Sequence, residues 1–179
     1  MGKVPYITHV TEVASILSTM TDDQEIMAAG ALHDVVEVAG VLPEELTEIF
    51  GERIAGLVAS ETENKRSNER PEDTWQIRKE ESLAELKASE DTAVKMLWLT
   101  DKLSNIRSME RSYETMGEDL WQHFHQHDPK MHKWYYEGVA DAVAELSDTA
   151  AYREYIRLQP TRNISKSSAG KSMRKGWLR

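Results

Sequence analysis

The sequence predicts an all-α, single-domain helical bundle, and three observations carry that prediction. Apolar residues recur at steps of three and four along most of the chain, as in Ile26, Ala29, Leu32 and Val36, which is how one face of an α-helix repeats. Helix start and stop residues bracket these stripes. Thr21 stands at capping-box spacing from Gln24, and Pro43 and Gly51 enclose Leu46, Ile49 and Phe50. Neither an alternating strand pattern nor an internal repeat competes with them.

The first helix begins near Thr8, puts Val10, Val13, Ile16 and Leu17 on its inner face, and leaves His9 at its start. A tight connection leads into the second, which carries the Ile26 to Val36 stripe. Pro43 suits the first turn of a third helix and Gly51 its stop; Ile54, Leu57 and Val58 open a fourth. From Glu61 to Asp73 the chain is polar and reads as a surface loop. Helical patterning resumes at Trp75, Ile77, Leu83 and Leu86, and again through Val94, Leu97, Leu99, Leu103 and Ile106, which predicts a deeply buried helix. Leu120, Trp121 and Phe124, then Trp134, Tyr135, Val139, Val143 and Leu146, predict two more, and Tyr152 to Leu158 a short last one.

A chain of 179 residues can bury one sizeable core without disulfides or a structural metal. The expected division is one domain over residues 1–159 and a basic, disordered tail over 160–179, where six Lys and Arg occur with no acidic residue. Without those six charges the net charge of -9 becomes -15. Within the tail, Gly170-Lys171-Ser172 looks like the end of a phosphate-binding loop. Position 165 is Ser, however, and no strand precedes it, which excludes that motif. The acidic charge argues against a nucleic-acid surface. It leaves room for a small nucleotide, because a bound metal ion supplies local positive charge. No apolar run approaches the length of a membrane span, cysteine is absent, and Met1 to Tyr6 lack signal-peptide features, so the expected location is cytoplasmic.

His33-Asp34 puts an imidazole beside a carboxylate on an otherwise apolar helix. A buried charge there needs a partner or a metal. His9 stands on the preceding helix, and Asp101 closely follows the apolar run Met96-Leu97-Trp98-Leu99. Two imidazoles and two carboxylates make a mixed nitrogen and oxygen set suited to Mn²⁺ or Fe²⁺, with Zn²⁺, Co²⁺ and Ni²⁺ also able to bind. Spacing alone leaves a bland alternative open, a helix-start His and a structural His–Asp hydrogen bond. Glu37 follows His33 by four residues and Asp34 by three, which predicts a shared helix face, although an ordinary solvated Glu has the same spacing. His123, His125 and His127 alternate, so they cannot share a helix face and read as a surface turn ending at Asp128-Pro129.

Three segments, Pro5-Tyr6-Ile7-Thr8-His9, Ala31-Leu32-His33-Asp34-Val35-Val36-Glu37 and Leu99-Thr100-Asp101-Lys102-Leu103-Ser104-Asn105-Ile106-Arg107, together closely resemble the hydrolase domain of the RelA/SpoT family. They also resemble that family's stand-alone small alarmone hydrolases, within the HD superfamily of metal-dependent phosphohydrolases. The resemblance spans residues 4–113, with Phe50-Gly51, Trp75 and Arg78-Lys79 as further matching features. It implies an HD-type bundle in which His9, His33, Asp34 and Asp101 hold one divalent ion, Mn²⁺ foremost. Glu37 would be the catalytic carboxylate that acts on water, Asn105 and Ser108 would lie near ribose and phosphates, and Lys102 would contact phosphate. The implied reaction is release of pyrophosphate from the 3′ position of (p)ppGpp. The expected partner is therefore a nucleotide rather than a membrane or nucleic acid, and a homo-oligomer is left open.

Two departures qualify the match. Val38 stands where the family usually has Asp, and only Met1 to Val4 precede Pro5 where the family has a helix whose basic residues hold the base. Lys3 is the sole candidate for that task. Two further readings therefore stand: the same chemistry on another nucleotide or phosphoester, and a catalytically degenerate nucleotide-binding sensor.

Overall fold

Local chemistry sets most of the helix boundaries. In the computed structural model, which describes residues 5–159, α1 runs Ile7–Leu17 and α2 runs Gln24–Leu32. The cap of α2 is Asp23 rather than Thr21. Asp23 accepts from the amides of Glu25 and Ile26, while Thr21 Oγ1 accepts from the amide of Asp23. A carboxylate at this end also suits the positive pole of the helix.

The predicted stripe from Ile26 to Val36 does not form one continuous helix. Asp34 has φ -100° and ψ 2°, torsions between the main allowed regions. The chain breaks at His33-Asp34 and restarts as α3, Val35–Ala39. Gly40, at φ 69°, ends that single turn. α4, Pro43–Phe50, opens on the predicted proline, with Glu45 accepting from the Leu42 amide at 3.0 Å. Gly51, at φ 87°, separates it from α5, Glu52–Ala59. α6 begins at Pro71, slightly before the predicted end of the polar loop, and runs to Ala88.

α7, Thr92–Met116, is the longest helix. The stripe at Leu120 to Phe124 forms a 3₁₀ helix over Gly117–His123, because Gly117 stops α7 at positive φ and Pro129 soon restarts the chain as α8, Pro129–Ala142. Val143, with φ -105° and ψ 19°, then separates Leu146 from α8 into a 3₁₀ turn before α9, Ala150–Leu158.

A helix that is apolar on several faces must be covered on all of them, and α7 is. Leu97 packs among Val13, Leu17, Ala29, Leu46 and Val58 in one apolar cluster. Trp98, Leu99, Leu103 and Ile106 join Leu83, Leu86, Val139 and Tyr155 in a second. Tyr155 is fully buried and its hydroxyl donates to the Tyr136 carbonyl at 2.9 Å, so its polar end is satisfied. α1 and α2 pack closely at Gly30, where a Cβ would lie 2.2 Å from Leu17 Cδ1. That approach brings His9 and His33 within reach of each other. No helix among the described residues is long and apolar enough to cross a membrane. Lys3, the 160–179 tail and its Gly170-Lys171-Ser172 lie outside the described residues.

Candidate metal centre

Three segments distant in sequence bring four donors together. α1 supplies His9 from its first turn, the α2–α3 break supplies His33 and Asp34, and the buried middle of α7 supplies Asp101. His9 Nε2 lies 3.2 Å from His33 Nε2, 3.1 Å from Asp101 Oδ1 and 4.0 Å from Asp34 Oδ2. His33 Nε2 lies 3.4 Å from both Asp34 Oδ2 and Asp101 Oδ1. His9, His33 and Asp101 satisfy the geometry of a metal-holding group. Asp34, at the break, directs its carboxylate towards the same point.

The surrounding hydrogen bonds fix both imidazole tautomers. His33 Nδ1 lies 2.8 Å from the Gly30 carbonyl, which can only accept, so His33 carries its proton on Nδ1. His9 Nδ1 lies 2.9 Å from Ser104 Oγ, whose own proton goes to Glu12 Oε2 at 2.6 Å. His9 is therefore also protonated on Nδ1. Both Nε2 atoms and the two carboxylate oxygens therefore face one another across a space that calls for positive charge. This donor set fits a divalent cation, with the outer hydrogen bonds orienting each ligand.

The charges agree with that reading. Burial opposes ionisation of Asp101, yet Lys102 and the two imidazoles hold its carboxyl well below the usual range. Burial also opposes charge on His33, but Asp101 and Asp34 outweigh it and push the ring up to about 11, so without a metal Nε2 holds a proton that a divalent cation would displace. Tyr6 donates to Asp34 Oδ2. Partial burial and that bond raise its phenol above the ordinary value, which keeps it a donor.

The other expected site residues are close by but differently engaged. Lys102 pairs with Asp101 Oδ2, sits 4.6 Å from the centre of the Trp98 ring and lies 3.6 Å from Glu61 Oε2. Asn105 Nδ2 donates to Asp101 Oδ1 at 2.9 Å. Glu37 reaches the loop after α5, accepting from the Glu63 amide and pairing with Lys65. Val38 is 63% exposed. His123, His125 and His127 are exposed and belong to no metal-capable group among the described residues.

Several residues at the site escape a reading based on motifs. Glu12 and Ser104 each stand three residues from a donor on the same helix, a spacing that could have flagged them. Arg107 joins Glu12 at 3.1 Å to Glu154 of α9 at 2.7 Å. Glu61 gives no such signal. It is buried, one of its oxygens has no hydrogen-bond partner among the described residues, and burial pushes its carboxyl up to about 8 despite Lys102.

Two clefts meet beside the donors. The larger, of about 880 Å³, runs along α1 past Tyr6, His9 and Asp34. The smaller, of about 310 Å³, lies between α6, α7 and α8 and includes Lys79, Lys102 and Tyr135. Asn105 and Ser108 line both.

The HD-domain sequence profile matches residues 1–129. The chain belongs to the HD-domain family. Among relatives of this HD-domain chain, a guanosine-3′,5′-bis(diphosphate) 3′-pyrophosphohydrolase of Drosophila melanogaster is 34% identical over 111 residues, covering 60% of this chain and 58% of the relative. An Aquifex aeolicus protein of the same name is 35% identical over 105 residues, covering 59% of this chain and 14% of the relative. The chain therefore spans little more than half of the first and a small part of the second. Among solved structures, a Listeria monocytogenes protein superposes with TM-score 0.74 at 28% identity, over 87% of this chain and 99% of that one. A metazoan ortholog of SpoT described as hydrolysing ppGpp superposes with TM-score 0.69 at 26% identity, over 89% and 83%.

Proposed function

We propose that this HD-domain chain is a metal-dependent phosphohydrolase that releases pyrophosphate from the 3′ position of (p)ppGpp, with Mn²⁺ foremost among the ions that suit it. One observation carries the proposal: two imidazole Nε2 atoms and two carboxylates converge where a large and a small cleft meet. The relatives named for this reaction and the SpoT ortholog support the substrate.

His9, His33, Asp34 and Asp101 hold the ion in this reading. A divalent cation there supplies Lewis-acid polarisation of a phosphoryl oxygen and a lowered pKa for water. Water attacks the phosphorus bonded to the 3′ oxygen, that P–O bond breaks, and the 3′ oxygen takes up a proton as pyrophosphate leaves. Glu37 accepts the proton of the attacking water. Asn105 and Ser108, shared by the clefts, face ribose and phosphate. Lys102 and Lys79 add positive charge to the smaller cleft, and the buried Tyr135 hydroxyl, without a hydrogen-bond partner among the described residues, is a donor for a phosphate oxygen. Lys3 is the candidate for contact with the base.

Val38 favours a second reading, a nucleotide sensor, because an apolar side chain next to Glu37 cannot activate water. Steady-state kinetics with ppGpp, its adenine counterpart and a 2′-phosphorylated dinucleotide, with and without Mn²⁺, separate the two. Mn²⁺-dependent pyrophosphate release from ppGpp supports the hydrolase. Binding of ppGpp without turnover of any substrate overturns it and leaves the sensor.

A further inference from the structure

Glu37 sits on a single helical turn with no fully buried residue, so α3 alone cannot fix the direction of its carboxylate. The loop between α5 and α6 does. Glu37 Oε1 accepts from the Glu63 amide at 2.8 Å, and its other oxygen pairs with Lys65 Nζ. The Glu63 side chain is gripped from α6, where Arg78 Nη1 donates to Oε2 at 2.8 Å and Lys79 pairs with Oε1. Burial opposes the charge on Glu63, but Lys79 and Arg78 hold its carboxyl below the usual value, so the grip persists at neutral pH. Arg78 is buried and braced in turn, with Nε 3.2 Å from Thr74 Oγ1 and Nη2 3.3 Å from the Pro71 carbonyl. Each of its three nitrogens donates to the protein.

We propose that Glu63 and Lys65 are positioning residues for Glu37, anchored to α6 through Arg78, so that the segment from Glu61 to Arg70 belongs to the reaction machinery. The proposal rests on the role given to Glu37 above. A continuous path, α6 to Glu63 to Glu37, ties the carboxylate that meets water to an 18-residue helix. Its physical purpose is angular. Displacing a reacting group by about 1 Å can cost about 10² in rate, and a carboxylate on one exposed turn has that freedom unless both oxygens are held.

Lys65 is exposed enough that Lys65→Met leaves folding intact. The expected result on ppGpp is a kcat reduced about 10- to 100-fold with KM within about twofold. Lys65→Arg restores most of the rate, and Glu63→Gln repeats the kcat-selective loss. A second readout needs no turnover: amide hydrogen exchange at Glu63 accelerates in Glu37→Ala without a matching change elsewhere in the loop. If kcat and KM move together with the melting temperature, or the Glu63 amide exchanges at the wild-type rate in Glu37→Ala, the positioning role is overturned. If wild type turns over no nucleotide, the hydrolase reading falls on its own, and the exchange measurement still decides whether the loop holds Glu37.

Discussion

The Nε2 atoms of His9 and His33 face each other at 3.2 Å while each ring carries its proton on Nδ1, towards Ser104 and the Gly30 carbonyl respectively. At that distance, and with Asp34 and Asp101 beside them, the two nitrogens need a proton or a metal cation between them, and a divalent ion answers both the nitrogens and the carboxylates. About one tightly held divalent metal per chain is therefore expected after reconstitution with Mn²⁺. His33→Ala and Asp34→Asn should both lose it. Elemental analysis checks this; no metal above background in wild type, or normal content in both variants, refutes the centre.

Glu37→Gln keeps the size and hydrogen-bonding reach of the side chain but cannot accept the water proton. Metal content and melting temperature should stay at wild-type values, while kcat falls by about 10² to 10⁴, the usual contribution of a general base. A fully active variant would assign water activation to another group.

Val38 is exposed beside Glu37, so a carboxylate placed there meets solvent and is inexpensive to accommodate. Val38→Asp should raise kcat more than it lowers KM, since the new charge acts near the reacting centre rather than at the base. An equal change in both parameters would point to substrate binding instead.

Gly30→Ala tests how helix packing sets the donors. The new methyl group would press on Leu17, itself fully buried, and overpacking of this kind typically costs about 1 to 3 kcal/mol. Leu17 is fully packed, so admitting the methyl is expected to part α1 and α2 slightly and to lower Mn²⁺ affinity along with stability. Chemical denaturation and metal titration on the same preparation measure both; unchanged affinity in a destabilised protein would uncouple the packing from the site.

His132 gives the pH prediction. The ring is buried against Trp121 and Phe124, and its Nε2 donates to the Gln126 carbonyl at 2.7 Å. Burial disfavours its charge, and Lys79 adds to that, against smaller opposite effects of the Gln126 hydrogen bond and Asp128, so its pKa falls below 6.5. Below that value the unfolded chain binds a proton that the folded chain resists. Stability from His132 is thus present above pH 6.5 and is lost as pH falls beneath it. His132→Gln should flatten this part of the curve when urea midpoints are compared with wild type between about pH 5 and 7. An identical slope in both proteins would exclude the contribution.

Most helices were legible because burial imposes a period on apolar residues, and α7 announces itself by being apolar on several faces. The break at Asp34 was not legible. A torsion change leaves the apolar spacing intact, so Val36 still looks like the continuation of Ile26 and Leu32. Thr21 and Asp23 are both good caps, and only backbone geometry distinguishes them. At the site, the convergence of His9, His33, Asp34 and Asp101 followed from the ordered segments that contain them. Glu61, Glu63 and Lys65 were hidden for a different reason: charged residues in a polar stretch look solvated until their partners are known, and those partners lie on α3, α6 and α7.

α7 contributes to both apolar clusters and also carries Asp101, Ser104, Asn105 and Arg107. Opening the site by moving α7 would therefore expose both clusters at once, which leaves little scope for partial unfolding around the donors. Whatever binds there should register as a shift of the whole cooperative melting transition, growing with the logarithm of ligand concentration. For this protein a simple thermal-shift titration of candidate ions and nucleotides should report site occupancy faithfully, even for compounds that it does not turn over.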